Sequence, residues 1–320
     1  MRNDLLIAVC LLIPLSVFSQ VLRDNRQQKF PDAVPAGNYS GITPIGNDRY
    51  AVVCDKSADG FYVFHIDIDT VSGRIVTVRN EGFRPSGHPN RDQEGIAFRS
   101  SSRTLYICGE SDNRILEYSL DGRRTGRSLQ PLPAAFSLLD RNAGLESLCY
   151  DDVRHRFYTV SERPAPGDSL LRLTVLDDDG TLLRQHGYRL DTVRPRRKGV
   201  QVNGVSELCC LGDGRLLVLE RTVRVPKLKI GSYVDCRLYE VCPDSAVNGR
   251  TTTPEGVLPK QLLCRFRTRL NLLRQNFANY EGVCVARELS DGRKILLLMA
   301  DSQNQYQGVL RDWFRTLIIR

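Results

Sequence analysis

Four glutamates recur in this chain with the same neighbours, and a carboxylate fixed in a repeat can bind a cation or move a proton. The copies are Glu94-Gly95-Ile96-Ala97-Phe98, Glu146-Ser147-Leu148-Cys149-Tyr150, Glu207-Leu208-Cys209-Cys210-Leu211 and Glu281-Gly282-Val283-Cys284-Val285. Each opens an apolar run, then comes a polar turn, then a second apolar run ending in another acid: Glu110, Glu162, Glu220 and Asp301. A weaker fifth copy lies upstream, where Ser40-Gly41-Ile42 leads through Tyr50 to Cys54 and then Asp55. Asp92, Asn142, Asn203 and Asn279 precede the glutamates by a few residues, and Arg163 and Arg221 directly follow two of the second acids.

Carboxylates gathered in one place repel one another and call for protons, bound cations or arginines. A cluster of Asp, Glu and Asn oxygens suits Ca²⁺ better than a soft transition metal. On this reading Glu94, Glu146, Glu207 and Glu281 are the catalytic candidates. Glu110, Glu162, Glu220, Asp301 and Asp92 are the metal-binding candidates. Arg163 and Arg221, with Asn142, Asn203, Asn279 and Arg91, would hold an anionic small molecule such as a phosphate ester through forked and polar donors. A repeated glutamate can equally accept hydrogen bonds from the backbone of the next repeat, holding the scaffold rather than a ligand.

The elements that must position these groups are strands. Short runs of Val, Ile, Leu, Tyr and Phe bounded by Gly, Asp, Asn and Ser recur to residue 320, with turn chemistry such as Gly212-Asp213-Gly214 and Ser290-Asp291-Gly292. The second unit shows the plan: 94–98, 105–109, 115–120 and a weaker strand near 128–132. Residues 261–275 have some helical character, although Leu262-Leu263-Cys264 also reads as strand. Four strands per unit, repeating from 94 to 146 to 207 to 281, predict an all-β, single-domain β-propeller of five or six four-stranded blades. Five units count directly, and the long gap from 207 to 281 leaves room for a degenerate sixth. Residues 38–320 form the propeller. Residues 20–37 form a polar lead in which Val21 to Phe30 could close the last blade against Thr316 to Ile319. In a propeller the start of the first strand lies beside the end of the second. Eight acids, two per blade, are therefore expected at one channel mouth.

Residues 1–19 read as a signal peptide: a short start with Arg2, an apolar run from Leu5 to Val17, and a cleavage site near Ser19-Gln20. The protein is thus expected to be secreted or periplasmic. The run is too short to span a membrane comfortably, and Cys10 lies inside it rather than after it, which argues against a lipid anchor. The net charge of +8 favours anionic partners. The basic cluster from Arg194 to Lys198 has no aromatic interleaving, so nucleic acid is not expected. Oligomeric state stays open. Nine cysteines remain after Cys10. Cys149, Cys210 and Cys284 share a repeat position with Ala97, which marks a small, buried packing site. Cys236 and Cys242 could bridge. Without a Cys-x-x-Cys pair, structural zinc is not indicated. Gly167-Asp168-Ser169-Leu170 spells a hydrolase motif but lies in a Pro/Gly turn. No Gly-x-Ser-x-Gly elbow exists, and the four histidines share no spacing, so a serine triad is unsupported.

Several segments together resemble the phytase-like family named for "esterase-like activity of phytase": Glu94 to Ala97, Arg141 to Leu148, Asn203 to Leu208, Gly214 to Arg221, Asn279 to Val283, and the ending from Asp291 to Ser302. The resemblance spans roughly residues 38–320. It implies a secreted or periplasmic propeller hydrolysing phosphoric esters. The chain departs from the pattern at Ser40 and in the Gln/Tyr stretch after Asp301. The metal ligands of calcium-dependent propeller phytases do not map onto it residue by residue. The rival to a Ca²⁺-assisted hydrolase is a non-catalytic propeller that binds a ligand or a cell-envelope partner on the same face.

Overall fold

The computed structural model describes residues 19–129, 136, 139, 144–195, 198–244, 256–271, 273 and 275–320. The expected signal peptide (bar Ser19) and Asn142 lie outside the described residues. Twenty strands form five four-stranded antiparallel sheets, each a blade. Blade 1 comprises β2 (Tyr39–Gly46), β3 (Arg49–Cys54), β4 (Gly60–Ile68) and β5 (Ile75–Pro85). Blade 2 comprises β6 (Gln93–Arg99), β7 (Thr104–Gly109), β8 (Arg114–Ser119) and β9 (Arg124–Ser128). Blade 3 comprises β10 (Leu145–Asp151), β11 (Arg156–Ser161), β12 (Leu171–Asp177) and β13 (Leu182–Tyr188). Blade 4 comprises β14 (Val200–Cys210), β15 (Leu216–Val225), β16 (Tyr233–Val241) and β17 (Lys260–Arg269). Blade 5 comprises β18 (Asn279–Glu288), β19 (Lys294–Asp301) and β20 (Trp313–Ile319), with β1 (Val21–Lys29) as its outer strand, paired from Val21 on Ile319 to Lys29 on Trp313.

The blade count is therefore five. The long interval before Glu281 is taken up by blade 4's own strands, which exceed those of blade 3, and by its loops. Of the stretch with helical character, residues 261–269 belong to strand β17. The weak fourth strand of blade 2 lies earlier than its sequence position suggested, at Arg124–Ser128.

Five apolar clusters form the core, one between each pair of neighbouring blades. Successive side chains of a strand face opposite sides of its sheet. Thus Ile295, Leu297 and Met299 of β19 pack towards blade 1, while Leu296, Leu298 and Ala300 pack towards blade 4. Burial on both faces explains why these strands read as unbroken apolar runs rather than alternating ones. All nine described cysteines are free thiols, so Cys236 and Cys242 are not bridged; the Cys210 and Cys149 sulfurs meet at 2.8 Å across the contact between blades 3 and 4. No helix among the described residues is long and apolar enough to cross a membrane.

One irregularity recurs in every blade. The pairing of first and second strands slips at Tyr39/Ile42, Gln93/Ile96, Leu145/Ser147, Val205/Glu207 and Tyr280/Gly282. A bulge of this kind turns a side chain out of the pleat and into a new direction. Within it the inner strands of adjacent blades nearly touch. A Cβ on Gly95 would stand 2.4 Å from the Leu148 nitrogen, and one on Gly41 would stand 2.5 Å from the Glu94 carbonyl oxygen. Both obstacles are backbone, which cannot swing aside. Gly95→Ala is therefore expected to destabilise the fold by about 1–3 kcal/mol through overpacking. Denaturant unfolding measures this, and an unchanged midpoint would show that the blades can spread.

Candidate functional site

The five bulges set one residue per blade at the same level, Ser40, Glu94, Glu146, Ser206 and Glu281, and of these the three glutamates line the cavity at the channel mouth. On each second strand, the residue that follows the partner of the last residue before the bulge joins it: Asp55, Glu110, Glu162, Arg221 and Asp301. In register terms Leu145 faces Ser161, Tyr280 faces Ala300 and Val205 faces Glu220. Glu146 and Glu281 therefore correspond to Ser206, while Glu162 and Asp301 correspond to Arg221. Blade 4 is one residue out of phase with the expected alignment, because it carries Ser206-Glu207 where blade 3 carries Glu146-Ser147.

The expectation of four like acid pairs is thereby corrected. Glu207 is fully buried below the mouth, with Oε1 accepting from the Leu208 N–H at 3.0 Å, and burial pushes its carboxyl well above the usual range. Glu220 lies behind the strand. It accepts hydrogen bonds from the Tyr188 hydroxyl at 2.8 Å, from Lys260 and from the Asp191 N–H at 3.3 Å. Neither residue lines the cavity. The sequence signal was present: aligning Gly144-Leu145 with Gly204-Val205, rather than glutamate with glutamate, gives the correct phase. The same shift makes Cys209, not Cys210, the counterpart of Cys149, Cys284 and Ala97.

A cavity of about 800 Å³ opens over the mouth, lined by Asp55, Glu94, Glu110, Glu146, Glu162, Glu281 and Asp301 together with Arg221, Lys56, Arg163 and Asn279. The Arg221 guanidinium occupies the middle of this set. Nη1 donates to Asn279 Oδ1 at 3.0 Å and to Glu281 Oε1, and Nη2 donates to Glu146 and Glu162 at 3.5 Å each. Asn279 Nδ2 donates to Glu281 at 2.8 Å and to Asp301 at 3.4 Å. Arg163 pairs with the outer oxygen of Glu162 at 3.0 Å, and Lys56 joins Asp55 at 3.0 Å to Asp92 at 2.9 Å.

The other expected binders fall elsewhere. Arg91 is buried against Asp112 at 2.7 and 2.8 Å, the Tyr118 hydroxyl at 3.1 Å and the Arg114 carbonyl, so it braces blade 2 and does not face the cavity. Asn203 accepts from Thr222 and Arg237 on the back of the β14–β15 hairpin. Asp92 stands on the rim, with Lys56. Sequence reading left Asp55 and Lys56 out of the site, although Asp55 ends the second strand of the weak first copy.

Burial dominates the electrostatics. It pushes the Glu94, Glu146 and Asp301 carboxyls well above the usual carboxylate range, and neighbouring carboxylates push them further. Burial also raises Glu281, with Arg221 pulling the other way. Glu110 is raised to about 7 by burial, with Glu162 and Asp92 adding to it and the Gly144 N–H, which donates to its Oε1 at 3.3 Å, opposing. Burial alone would weaken the charge on Arg221, but Glu281, Glu146, Glu162 and Asp301 outweigh it and hold the proton on.

The profile of one family, Phytase-like: "Esterase-like activity of phytase", matches residues 34–303. The chain belongs to the Phytase-like family. No curated protein matches the sequence significantly. Among solved structures, this Phytase-like chain is similar to an endo-arabinase from Bacteroides thetaiotaomicron (13% identity, 89% of this chain and 96% of that one, TM-score 0.49). It is similar to an endo-1,4-beta-xylanase from the same organism (14%, 90% and 92%, TM-score 0.43). It is also similar to a tail fibre of a Staphylococcus aureus phage (12%, TM-score 0.44), of which it spans 52% while 94% of its own length is covered. Likenesses this distant carry nothing about activity.

Acids whose pKa is raised by folding bind more protons in the folded chain than in the unfolded one, so stability falls as pH rises above about 4.5. Removing the central cation steepens that fall. Arg221→Met is expected to cost about 3–5 kcal/mol at pH 8, as when one partner of a buried ion pair is removed. The cost should shrink at pH 5, where the raised carboxyls are protonated. Melting curves at both pH values measure it, and an equal deficit would show that Arg221 does not balance these acids.

Proposed function

We propose that this Phytase-like propeller is an exported hydrolase of phosphate esters. The observation that carries the reading is the placement of the acids. Seven carboxylates of the bulge and second-strand positions line one open cavity. The family's description supports an ester as substrate.

Arg221 gives the floor a fixed positive charge, its Nη1 and Nη2 already donating to Asn279, Glu281, Glu146 and Glu162, and Arg163 and Lys56 add positive charge at the edge. These would receive the phosphoryl oxygens. Glu110 would serve as the proton donor to the leaving alkoxide, because its carboxyl, raised to about 7, holds a proton near neutrality and can release it. Among the described residues, no three His, Cys, Asp or Glu side chains converge tightly enough to form a ready-made metal site. By donor chemistry, however, Asp55, Glu94 and Asp301 suit Ca²⁺, and a divalent cation there would relieve the mutual repulsion that helps to raise Glu94 and Asp301. When bound, such an ion would polarise the phosphoryl group and acidify water. Export rests on the apolar leader of residues 1–19.

One feature favours a non-catalytic, ligand-binding propeller as the second reading: Arg221 is already hydrogen-bonded to three carboxylates and an amide, so part of the floor is internally neutralised.

The purified protein is expected to release phosphate from p-nitrophenyl phosphate and to show a higher melting temperature with Ca²⁺ than with chelator. No turnover together with no calcium shift would sink the hydrolase. Glu146→Gln keeps the size of the side chain and an oxygen for Arg221 but removes one cavity carboxylate, so it should lower activity with little change in melting temperature; a large drop in melting temperature would assign Glu146 to the scaffold instead. For Glu110 the sign follows from its role. A proton donor is active below its pKa, so kcat/KM should decline above about pH 7. On an alkyl phosphate such as ethyl phosphate, whose alkoxide needs a proton to leave, Glu110→Gln should lose about 10²–10⁴-fold and abolish that decline, whereas p-nitrophenolate leaves without that help. A variant that keeps the limb assigns the proton transfer to another group.

A further inference from the structure

The cavity has two unlike halves, and the second is apolar. Blade 4 is the blade whose inner hairpin grows past the mouth. Its β14 begins at Val200 and its β15 runs to Val225, whereas the matching strands of blade 3 begin at Leu145 and end at Ser161. In the overhanging part Val200 is paired with Val225 and Val202 with Val223. Residues two apart on a strand share a face, and directly paired residues share it across the ladder. The four valines therefore form one patch, and all four line the cavity. Val200 is 59% exposed, so the patch is in contact with water.

The back of the same hairpin is polar and tied down. Thr222 donates to Asn203 at 2.7 Å, and Arg224 donates to the carbonyls of Val200, at 3.0 Å, and Lys198. The polar face is spent on holding the hairpin upright, while the apolar face is left towards the site. Tyr306, Val309 and Leu310, from the loop after β19, also line the cavity. Lys229, from the β15–β16 turn, links that loop to blade 4: its Nζ lies 4.9 Å from the Tyr306 ring centre and 2.9 Å from its hydroxyl.

A polyol phosphorylated on every side would leave this patch facing charge. We infer that the cavity takes an amphiphilic ester: a phosphate head on the carboxylate and Arg221 floor, and an alkyl or aryl group laid along Val200, Val202, Val223 and Val225. The head-group half of this inference rests on the hydrolase reading above; the apolar half rests on the hairpin.

A series of soluble n-alkyl phosphates from ethyl to octyl, below their micelle concentrations, tests it by calorimetric Kd in calcium-containing buffer. Burial of each methylene strengthens binding up to about four-fold, so affinity should climb about two- to four-fold per added methylene across the series. The Val202→Thr/Val223→Thr double variant keeps the β-branched shape of both residues and should flatten the climb, with its melting temperature confirming the fold. Phosphate binding with no dependence on chain length overturns the inference and leaves the hydrolase reading standing. A climb seen with n-alkyl alcohols but with no binding of ethyl or inorganic phosphate overturns the head group and keeps the apolar wall. Vesicles containing phosphatidic acid form the last arm. A response confined to them would overturn a cavity for soluble esters, because the valines would then be a surface contact.

Discussion

Five inner strands meet so closely that backbone touches backbone, and the rest of the molecule follows from that constraint. The close approach excludes a side chain at Gly41 and Gly95. The first strand of every blade slips in register at the same level. The slips turn one side chain per blade towards the axis, where Glu94, Glu146 and Glu281 are buried. Acids placed there cannot all be charged. Burial of an ion without a partner costs several kcal/mol, so the ring must hold protons, a cation or both. Arg221 supplies one permanent positive charge, and the raised carboxyl pKa values supply the protons. The electrostatics of the mouth are thus a consequence of how tightly the ring closes.

Much of this arrangement was legible in the sequence. Alternation, turn residues and the spacing of the repeats were enough for four-stranded blades in a ring. The glutamates of blades 2, 3 and 5 lie where the antiparallel pairing of their strands placed them. Blade 4 was not legible in the same way, because its acid and serine are exchanged. A strand has period two, so one residue of offset sends a side chain to the opposite face. That offset alone turns Glu220 into a partner of Lys260 and Tyr188, and brings Arg221 inside. Arg91 was misread for a different reason. Its partners, Asp112, Tyr118 and Arg114, come from the next hairpin, and nothing near Arg91 in the chain announces them. The valine patch was not read from the sequence because Val200 and Val202 precede the repeat motif while Val223 and Val225 follow its second acid.

The exchange in blade 4 also explains why the site is lopsided. Four blades contribute an acid at the second position and one contributes a cation, so the ring has a positive side. The same blade bears the overhanging hairpin. The cation and the valine patch are therefore both supplied by β14 and β15, while blades 2, 3 and 5 each provide two acids and blade 1 provides one. A ring of near-equivalent parts becomes directional through one unit.

The pairing of β1 with β20 sets an order of events during synthesis. Asp24 and Arg315, joined across that pairing, are separated by 291 residues. Blade 5 therefore lacks its outer strand, and the ring stays open, until β20 has been made. During that interval the earliest strand waits without a neighbour, and the apolar clusters between blades 4, 5 and 1 are incomplete. A nascent chain of this design cannot lock into its final shape halfway through translation.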